Sequence, residues 1–236
     1  MSDPVDCQFA LLGDLHGDAR ALVHLDRVLA PGIPVLQVGD FGWYPSLADQ
    51  WRAIGSSMQR PVYWIRGNHE HYPSMPWLNA PNPVEVASSI YFVPDGSVLE
   101  IGGVRIGCLG GAASIDYRFR RMGIDWFAEE NITPEQAART ARWRDLDLMV
   151  THVPPQHIIA ASSNPLAKLQ FGVPADWRDE NADVVEKIWR RMNCPPLVCG
   201  HMHYSYQSAD GVRMLDINEP LHWPCAPRPT TASPGG

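Results

Sequence analysis

Aspartate, histidine and asparagine residues follow five separate apolar runs of this chain, and such residues can bind divalent metal ions. They are Asp14 and His16 after the first run, Asp40 after the second, Asn68 after the third, His152 after the fourth, and His201 and His203 after the fifth. A short apolar run bounded by glycine is typical of a buried strand, and ligands of open α/β sheets bind outside the carboxyl ends of the strands. We therefore expect these side chains to converge. The chemistry that needs such a cluster is metal-assisted hydrolysis of phosphate esters.

The types and spacing of these side chains suit two cations. Asp14 and His16 lie two residues apart, so both can face one ion, and the two carboxylate oxygens of Asp40 can bridge two ions. Two divalent ions about 3.5–4 Å apart stabilise the attacking and leaving oxygens of a displacement at phosphorus, and they lower the pKa of bound water towards about 7. Mixed nitrogen and oxygen ligands admit Mn²⁺, Fe and Zn²⁺. We expect two divalent ions, with Mn²⁺ as the first choice and Fe or Zn²⁺ as alternatives.

His69 directly follows Asn68 and is expected to face the substrate rather than the ions. Histidine is the side chain that most often transfers protons in enzymes, so we predict that His69 protonates the leaving alkoxide. His69 and Asp40 are therefore the predicted catalytic residues. Glycine precedes both Asp40 and Asn68, and a side chain at Gly39 or Gly67 would crowd the tight turn after the strand.

Residues 110–121 form a second feature of interest, in which a glycine pair precedes an arginine cluster with two aromatic residues. We interpret this segment as a substrate loop in which Arg118 binds a phosphate and an aromatic side chain stacks on a base. A solvated basic loop that pairs with Glu129 and Glu130 is the alternative interpretation. The further candidates for substrate contacts are Arg66, Tyr44 and Tyr72.

Strands and helices alternate in the first part of the chain, which is the signature of a parallel βαβ layer. Helical spacing predicts helices over 19–29 and 46–59, the second capped by Ser46. Short β-rich runs separated by glycine pairs predict hairpins in the middle of the chain. The other predicted elements are strands at 89–93, 97–101, 104–109, 148–151, 197–199, 204–207 and 212–216, and helices at 133–144 and 183–192.

These elements predict an α/β fold in which two mixed β-sheets lie face to face with helices outside, a four-layer αββα sandwich. A chain of 236 residues fits one domain with a full-sized core, and we assign residues 1–219 to it. Residues 153–181 have weak periodicity and several Pro, Ser and Asn, so we expect a long loop or lid beside the site. The Pro-rich segment 220–236 is predicted to be a flexible C-terminal tail.

Composition narrows the range of partners and locations. The net charge of −7 argues against a groove for long duplex nucleic acid, but not against a small phosphate-ester or nucleotide substrate. The five cysteines are an odd number without a Cys-x-x-Cys pair, so a thiolate zinc site is not expected. No apolar stretch is long enough to span a bilayer, and the acidic N-terminus lacks the basic start of a signal peptide. We expect a cytoplasmic protein without membrane contact and leave its oligomeric state open.

Five short blocks occur in a fixed order between Gly13 and His203. They are Gly-Asp-x-His-Gly, Gly-Asp, Gly-Asn-His-Glu, a histidine at a strand end, and Gly-His-x-His. This combination resembles the calcineurin-like metallophosphoesterase superfamily, and it implies the fold of that superfamily. The resemblance further implies that one metal is held by Asp14, His16, Asp40 and His203. The second metal would then be held by Asp40, Asn68, His152 and His201. A metal-bridging hydroxide would attack phosphorus, with His69 as the general acid.

The second block separates this chain from the protein serine/threonine phosphatases of the superfamily. Those phosphatases carry Gly-Asp-x-Val-Asp-Arg-Gly, whereas residues 39–45 of this chain contain no arginine. The closing block, residues 200–203, instead resembles the phosphodiesterase branches. We therefore predict a phosphodiesterase that acts on nucleotides such as 2′,3′-cyclic phosphodiesters. A phosphomonoesterase or protein phosphatase is the alternative, because Arg66 precedes the Gly-Asn-His-Glu block as it does in those phosphatases.

Two further hypotheses fit the sequence less well. A metal-free interaction module built on this fold would be expected to lack several ligands, and none of the predicted ligands is missing. A nuclease that acts on long DNA is disfavoured by the acidic net charge and by the lack of an added DNA-gripping domain.

Overall fold

Two six-stranded sheets form the β structure of the protein. The computed structural model describes residues 8–162 and 165–224, and it describes residues 165–167 by their backbone alone. The first sheet consists of β1 (Phe9–Leu12), β2 (Val35–Gln37), β3 (Val62–Trp64), β4 (Val84–Ala87), β5 (Ile90–Phe92) and β12 (Pro220–Trp223). Its strands lie in the order β12-β1-β2-β3-β5-β4. The four central strands are parallel, and the two edge strands pair antiparallel with their neighbours.

The second sheet has the same mixed character. It consists of β6 (Ser97–Ile101), β7 (Val104–Leu109), β8 (Leu148–Thr151), β9 (Leu197–Cys199), β10 (Tyr206–Gln207) and β11 (Val212–Met214). Its strands lie in the order β10-β11-β9-β8-β7-β6. The four central strands are again parallel, with an antiparallel strand at each edge. The prediction of two mixed sheets is confirmed.

The helices connect the strands and cover the outer faces of the sheets. They are α1 (Arg20–Val28), α2 (Ala48–Ser57), α3 (Pro134–Arg139), α4 (Gln156–Ser162), α5 (Pro165–Gln170) and α6 (Glu180–Arg191). Thr133 caps α3 in a reciprocal capping box with Gln136, which satisfies two amide donors at the start of the helix. Within 8–162 and 165–224, none of these helices combines the length and the apolar character that crossing a bilayer requires.

Three apolar layers hold the sandwich together, and alternation along the strands creates them. In β1, Phe9 and Leu11 point between the two sheets, while Ala10 and Leu12 point towards the helices on the other face. The outer layer of the first sheet includes Leu22 of α1 and Trp51 of α2. The outer layer of the second sheet includes residues of α4 and α6, namely Ile158, Val185, Ile188 and Trp189. The order of layers is therefore helix, sheet, sheet, helix, as predicted.

Two segments differ from the prediction. Residues 153–181 contain α4 and α5 instead of a long loop, because helices of six or seven residues are too short to display a recognisable apolar period. The predicted tail begins inside the domain, since β12 pairs with β1 from Phe9↔Trp223 to Leu12↔Pro220. A proline can occupy the first residue of an edge strand, so Pro220 did not mark a boundary. Residues 225–236 of the predicted tail lie outside the described residues.

Smaller differences concern helix ends and one strand. Ser46 lies in a 3₁₀ turn, and α2 begins two residues later without a side-chain cap. The helix predicted over 133–144 ends at Arg139 and continues as a short 3₁₀ turn. The strand β4 was not predicted at all, because its four residues are at most half-buried and include a glutamate.

Candidate metal centre

The seven predicted ligands meet at the carboxyl ends of parallel strands from both sheets. In the first sheet, β1 leads into Asp14 and His16, β2 into Asp40, and β3 into Asn68. In the second sheet, β8 leads into His152, and β9 into His201 and His203. The site therefore lies where the ends of the two sheets face each other, and each sheet supplies part of it.

Asp14, His16, Asp40 and His203 form a first group, and one ligand atom from each lies within 4.8 Å of the others. His203 Nε2 lies 3.2 Å from Asp14 Oδ2 and 3.0 Å from His16 Nε2. His16 Nε2 in turn lies 3.7 Å from Asp40 Oδ2. Two carboxylates and two imidazoles at these distances could hold one divalent ion.

Asn68, His152 and His201 form a second group around the amide oxygen of Asn68. This oxygen lies 3.1 Å from His152 Nε2 and 3.0 Å from His201 Nδ1. His152 Nε2 also lies 3.3 Å from Asp40 Oδ1. The two carboxylate oxygens of Asp40 thus face different groups, Oδ1 the second and Oδ2 the first.

The residues of both groups fit divalent ions. Asp40 is fully buried, and its Oδ2 has no hydrogen-bond partner, although burying an unpaired carboxylate oxygen is costly. His152 Nδ1 lies 3.0 Å from the carbonyl oxygen of Val38, which fixes the ring so that Nε2 faces the second group. A cation beside Asp40 would satisfy its free oxygen. Asp40 would then stand between two ions.

Close packing explains the glycines that precede Asp40 and Asn68. A Cβ atom on Gly39 would overlap the ring of His152, and a Cβ atom on Gly67 would overlap the Asp40 carboxylate. Any side chain at either position would therefore displace a predicted ligand. The crowding comes from residues of other strands, and not only from the turn itself.

Backbone conformation sets the direction of four predicted ligands. The φ angles of His16, Asp40, His201 and His203 are +48°, +55°, +70° and +55°. Left-handed backbone is uncommon for residues other than glycine, and it concentrates at functional sites where the surrounding structure enforces it. The folding of both sheets therefore stabilises a locally unfavourable backbone at the site.

The charges of Asp40 and His152 depend on each other. Burial alone would raise the pKa of the Asp40 carboxyl, but His152, His69 and His16 hold it well below its ordinary value. Burial lowers the pKa of His152, and the Asp40 carboxylate outweighs this effect and raises it to about 9. Burial, followed by the charge of His152, lowers the pKa of His201 well below its ordinary value. The charge on Asp40 that holds a proton on His152 would also attract a divalent ion.

Glu70, the last residue of the Gly-Asn-His-Glu block, supports the turn after β2. Its two carboxylate oxygens accept hydrogen bonds from the backbone N–H groups of Phe41 at 2.8 Å and Trp43 at 2.6 Å. Burial, together with the charge of Asp40, raises the pKa of Glu70 to about 8. Glu70 therefore holds the backbone on which Asp40 sits. The sequence alone predicted no role for Glu70, although its place in the Gly-Asn-His-Glu block was a signal.

His69 lies beside the two groups, on the turn after β3. Its backbone N–H donates to Asp40 Oδ1 at 2.7 Å, and its ring lies 4.8 Å from that of His16, measured between centroids. Burial lowers the pKa of His69 to about 4, with Arg120 acting in the same direction and Asp40 opposing. The imidazole of His69 therefore lies beside that of His16, and its lowered pKa favours the neutral ring.

The predicted substrate residues are spread over different environments. The guanidinium of Arg66 is fully buried and pairs with Asp95 at 2.6 Å, so it supports the fold and does not face the site. The Tyr72 hydroxyl is also buried, and it donates to the Gly67 carbonyl oxygen at 2.5 Å. Tyr44 is half-buried, and burial, followed by the charges of Glu70 and Asp40, raises the pKa of its hydroxyl. Of these three residues, Tyr44 alone is not enclosed by the fold.

The loop at residues 110–121 places Arg120, not Arg118, next to the site. Arg118 is exposed, and one of its Nη atoms donates to the Gly172 carbonyl oxygen at 2.7 Å. Arg120 Nη2 lies 2.7 Å from His69 Nε2 and also contacts His69 Nδ1. Three arginines occur within four positions of this loop, so the sequence indicated an arginine but could not indicate which one.

Comparison with known proteins agrees with this geometry at the level of the family. A family model described as calcineurin-like phosphoesterase matches residues 7–205. No curated protein matches the chain. A solved structure, a phosphopantetheinyl hydrolase from Mycobacterium tuberculosis, shares 17% sequence identity with a TM-score of 0.46, and the match covers 91% of this chain and 92% of that chain. Because the family model spans most of the sequence, this chain belongs to the calcineurin-like phosphoesterases, a family of metal-dependent phosphoric ester hydrolases.

Proposed function

We propose that this protein hydrolyses phosphodiester bonds in nucleotides, with 2′,3′-cyclic phosphodiesters as the first substrate class, and that it uses two divalent ions. One observation carries the proposal. The two oxygens of Asp40 face separate donor groups, and its Oδ2 lacks a hydrogen-bond partner. Family membership supports phosphoester chemistry. The Gly-His-x-His block at residues 200–203 supports a diester over a monoester substrate.

Each donor group is assigned one ion, with Asp40 shared, and Mn²⁺ is the proposed metal. The first ion would be held by Asp14, His16, Asp40 and His203. The second would be held by Asp40, Asn68, His152 and His201. When bound, the two ions would neutralise charge on the phosphate and make water more acidic. We place the protein in the cytoplasm, as its composition suggests.

His69 is the proposed general acid. Its backbone contact with Asp40 fixes residue 69 beside the carboxylate between the two groups, and its side chain projects to the same side as Arg120. From this position the imidazole can donate a proton to the leaving alkoxide oxygen. A bound phosphate anion would raise the pKa of His69 from about 4, because a nearby negative charge favours the protonated ring.

A substrate panel tests this proposal. Purified protein supplied with Mn²⁺ should hydrolyse bis(p-nitrophenyl) phosphate and a 2′,3′-cyclic nucleotide faster than p-nitrophenyl phosphate at the same concentration. A higher rate on the monoester would favour the phosphomonoesterase alternative. Arg66, which pointed to that alternative in the sequence, is enclosed by the fold and lends it no support.

A substitution of His69 tests the acid assignment separately. The variant His69→Ala should bind as much manganese as the wild type and lose about 10²–10⁴-fold in turnover, the usual contribution of a positioned proton donor. A poor leaving group such as a nucleoside should show a larger loss than p-nitrophenolate, which needs no proton. Equal losses on both substrates would count against a role in proton donation.

A further inference from the structure

Arg120 is held in one orientation by groups on its own loop. Its Nε donates to Asp116 Oδ2 at 2.9 Å, and one Nη donates to Ser114 Oγ at 3.2 Å and to the carbonyl oxygen of Asp125 at 3.2 Å. Only 10% of the side chain is exposed. A guanidinium fixed in this way loses little further freedom when it binds an anion.

The anchoring network reaches the candidate metal centre itself. Ser114 Oγ, which contacts Arg120, also accepts a hydrogen bond from Asn68 Nδ2 at 3.0 Å. The same hydroxyl donates to Glu130 Oε2 at 2.7 Å, and Glu130 Oε1 accepts from the backbone N–H of Ser114 at 2.8 Å. The position of Arg120 is thus tied to Asn68, one of the proposed ligands.

The remaining Nη of Arg120 contacts both ring nitrogens of His69. Asp116 accepts from Nε, and the other Nη binds Ser114 and Asp125, so Nη2 is the guanidinium nitrogen that lies next to His69. A guanidinium beside an imidazole is stabilised when an anion contacts both groups. The anion that the proposed reaction brings to this place is a phosphate group.

We propose that Arg120 is a substrate-binding residue that contacts a non-bridging oxygen of the phosphate, next to His69. This inference rests on the proposed function, since it names the group that grips the substrate of that reaction. Arg118 faces the Gly172 carbonyl oxygen instead, so the phosphate-binding role predicted for Arg118 passes to Arg120.

The test compares Arg120→Met with the matched control Arg121→Met, which removes the neighbouring, exposed arginine. Activity on bis(p-nitrophenyl) phosphate, binding of inorganic phosphate by calorimetry, and manganese content are measured for each. Arg120→Met should lose about 10²–10³-fold in kcat/KM, as expected for a charged group that contacts the reacting phosphate. It should also bind inorganic phosphate at least about tenfold more weakly. Arg121→Met should match the wild type in all three measurements.

Two further variants keep the inference testable if the methionine variant folds poorly. Arg120→Lys retains a positive charge and should recover part of the phosphate affinity. Activity of Arg120→Ala should rise when guanidinium ions are added, because they can occupy the place of the lost side chain. A purely structural role would instead lower the manganese content or the melting temperature and leave phosphate affinity per folded molecule unchanged.

The outcomes separate this inference from the proposed function. If the wild type hydrolyses neither ester, the proposed function fails, and phosphate binding to the manganese-loaded protein still tests Arg120. If the wild type is active but Arg120→Met keeps its phosphate affinity and its kcat/KM within about twofold, the inference is wrong while the function stands. A loss in Arg118→Met without one in Arg120→Met would return the role to Arg118.

Discussion

Asp40 shows how one side chain can serve two binding groups. Its two oxygens face the two donor groups, and the backbone at this residue adopts a left-handed φ of +55°. Glu70 holds the following residues, and the glycines at 39 and 67 make room for the carboxylate. Many contacts thus converge on one carboxylate, which indicates that its exact position matters for the site.

The first prediction concerns the loss of this charge. Asp40→Asn should weaken manganese binding by more than about 100-fold, because even the partners of metal ligands are worth about 10–100-fold in affinity. Calorimetry with Mn²⁺ measures this directly, with Asp49→Asn as the control, since the Asp49 side chain is 96% exposed on α2. Unchanged manganese affinity in Asp40→Asn would mean that the ions bind elsewhere.

The second prediction concerns the contribution of Arg66 to the free energy of unfolding. Its guanidinium is buried between Asp95, Gln136 and backbone carbonyl groups, so Arg66→Met would leave the Asp95 carboxylate buried without its cation. Breaking a buried ion pair in this way costs about 3–5 kcal/mol of unfolding free energy. Urea unfolding followed by tryptophan fluorescence measures the cost.

The double variant Arg66→Met/Asp95→Asn provides the control for this prediction. It removes the unpaired charge as well, and the side-chain amide oxygen that it introduces at position 95 can still accept from the Gly110 N–H, which donates to Asp95 at 2.7 Å in the native chain. The double variant should therefore be more stable than Arg66→Met alone. A cost of less than about 1 kcal/mol for Arg66→Met would show that the pair contributes little.

For single residues, short sequence patterns were sufficient to predict which side chains would lie close together. The types and order of the ligand blocks indicated which side chains would meet, and the structure brings those side chains together. The sequence could not distinguish Arg118 from Arg120, because that choice depends on the contacts of Asp116 and Ser114 in the folded loop. Nor could it show that Arg66 is enclosed, since residues from distant segments form its surroundings.

Among the elements, the segment between β7 and α3 depends on Glu130 for its shape. Glu130 accepts hydrogen bonds from the Ser114 backbone, the Ser114 hydroxyl and Trp126 Nε1, the last at 2.9 Å. Burial raises the pKa of Glu130 above its ordinary value of 4.5, and the hydrogen bonds oppose this effect only in part. The carboxylate is therefore less favourable in the folded chain than in the unfolded chain.

The third prediction is the pH dependence that follows. Because the folded-state pKa of Glu130 is raised, its contribution to stability is complete below pH 4.5 and is lost as the pH rises through the folded-state value. Glu130→Gln does not titrate. Its amide oxygen can still accept from the Ser114 backbone N–H and from Trp126 Nε1, while its amide nitrogen can donate to Ser114 Oγ. The stability of the variant relative to the wild type should therefore increase from about pH 4 to about pH 8, the range in which a carboxyl group with a raised pKa titrates. Melting temperatures across this range measure the difference.

Glu129→Gln is the matched control for Glu130→Gln, because the Glu129 side chain is exposed on the same 3₁₀ turn. Its stability relative to the wild type should not change with pH in this way. A parallel pH profile for wild type and Glu130→Gln would contradict the role of burial at this residue.

The two helices that the sequence missed, α4 and α5, share a physical cause. A period of about 3.6 residues is visible in α1 and α6, which expose one face and bury the other. The helices α4 and α5 have seven and six residues, fewer than two turns, so no period can be read from them. For α4, packing on a neighbour supplies the stabilisation that its length does not, because Ile158 lies in one apolar cluster with Val185 and Trp189 of α6.

The whole molecule forms its site only when both sheets are in place. Three strands of the first sheet and two of the second supply the proposed ligands, and the apolar layer between the sheets holds them together. Sequence order alone does not reveal which edge strands complete each sheet. The strand β12 illustrates this, because it comes from the far end of the described chain and pairs with β1, which leads into Asp14 and His16.

The last prediction tests the contribution of β12 to the fold. A chain that ends at residue 219 lacks the partner of β1, including Leu221 and Trp223, which pack against the apolar layer between the sheets. The loss of these partly buried side chains should cost about 3–5 kcal/mol. The open edge of β1 should also promote aggregation. Thermal unfolding and size-exclusion chromatography measure both effects.

A chain that ends at residue 224 is the control, because it keeps every residue of β12. It should unfold at the temperature of the full chain and remain able to bind manganese, while the chain ending at residue 219 should lose both properties. Manganese binding is informative because β1 carries Asp14 and His16 at its end, so a loosened strand would displace ligands of the first group. Equal melting temperatures for the two shortened chains would instead restore the domain boundary at residue 219 that the proline-rich sequence indicated.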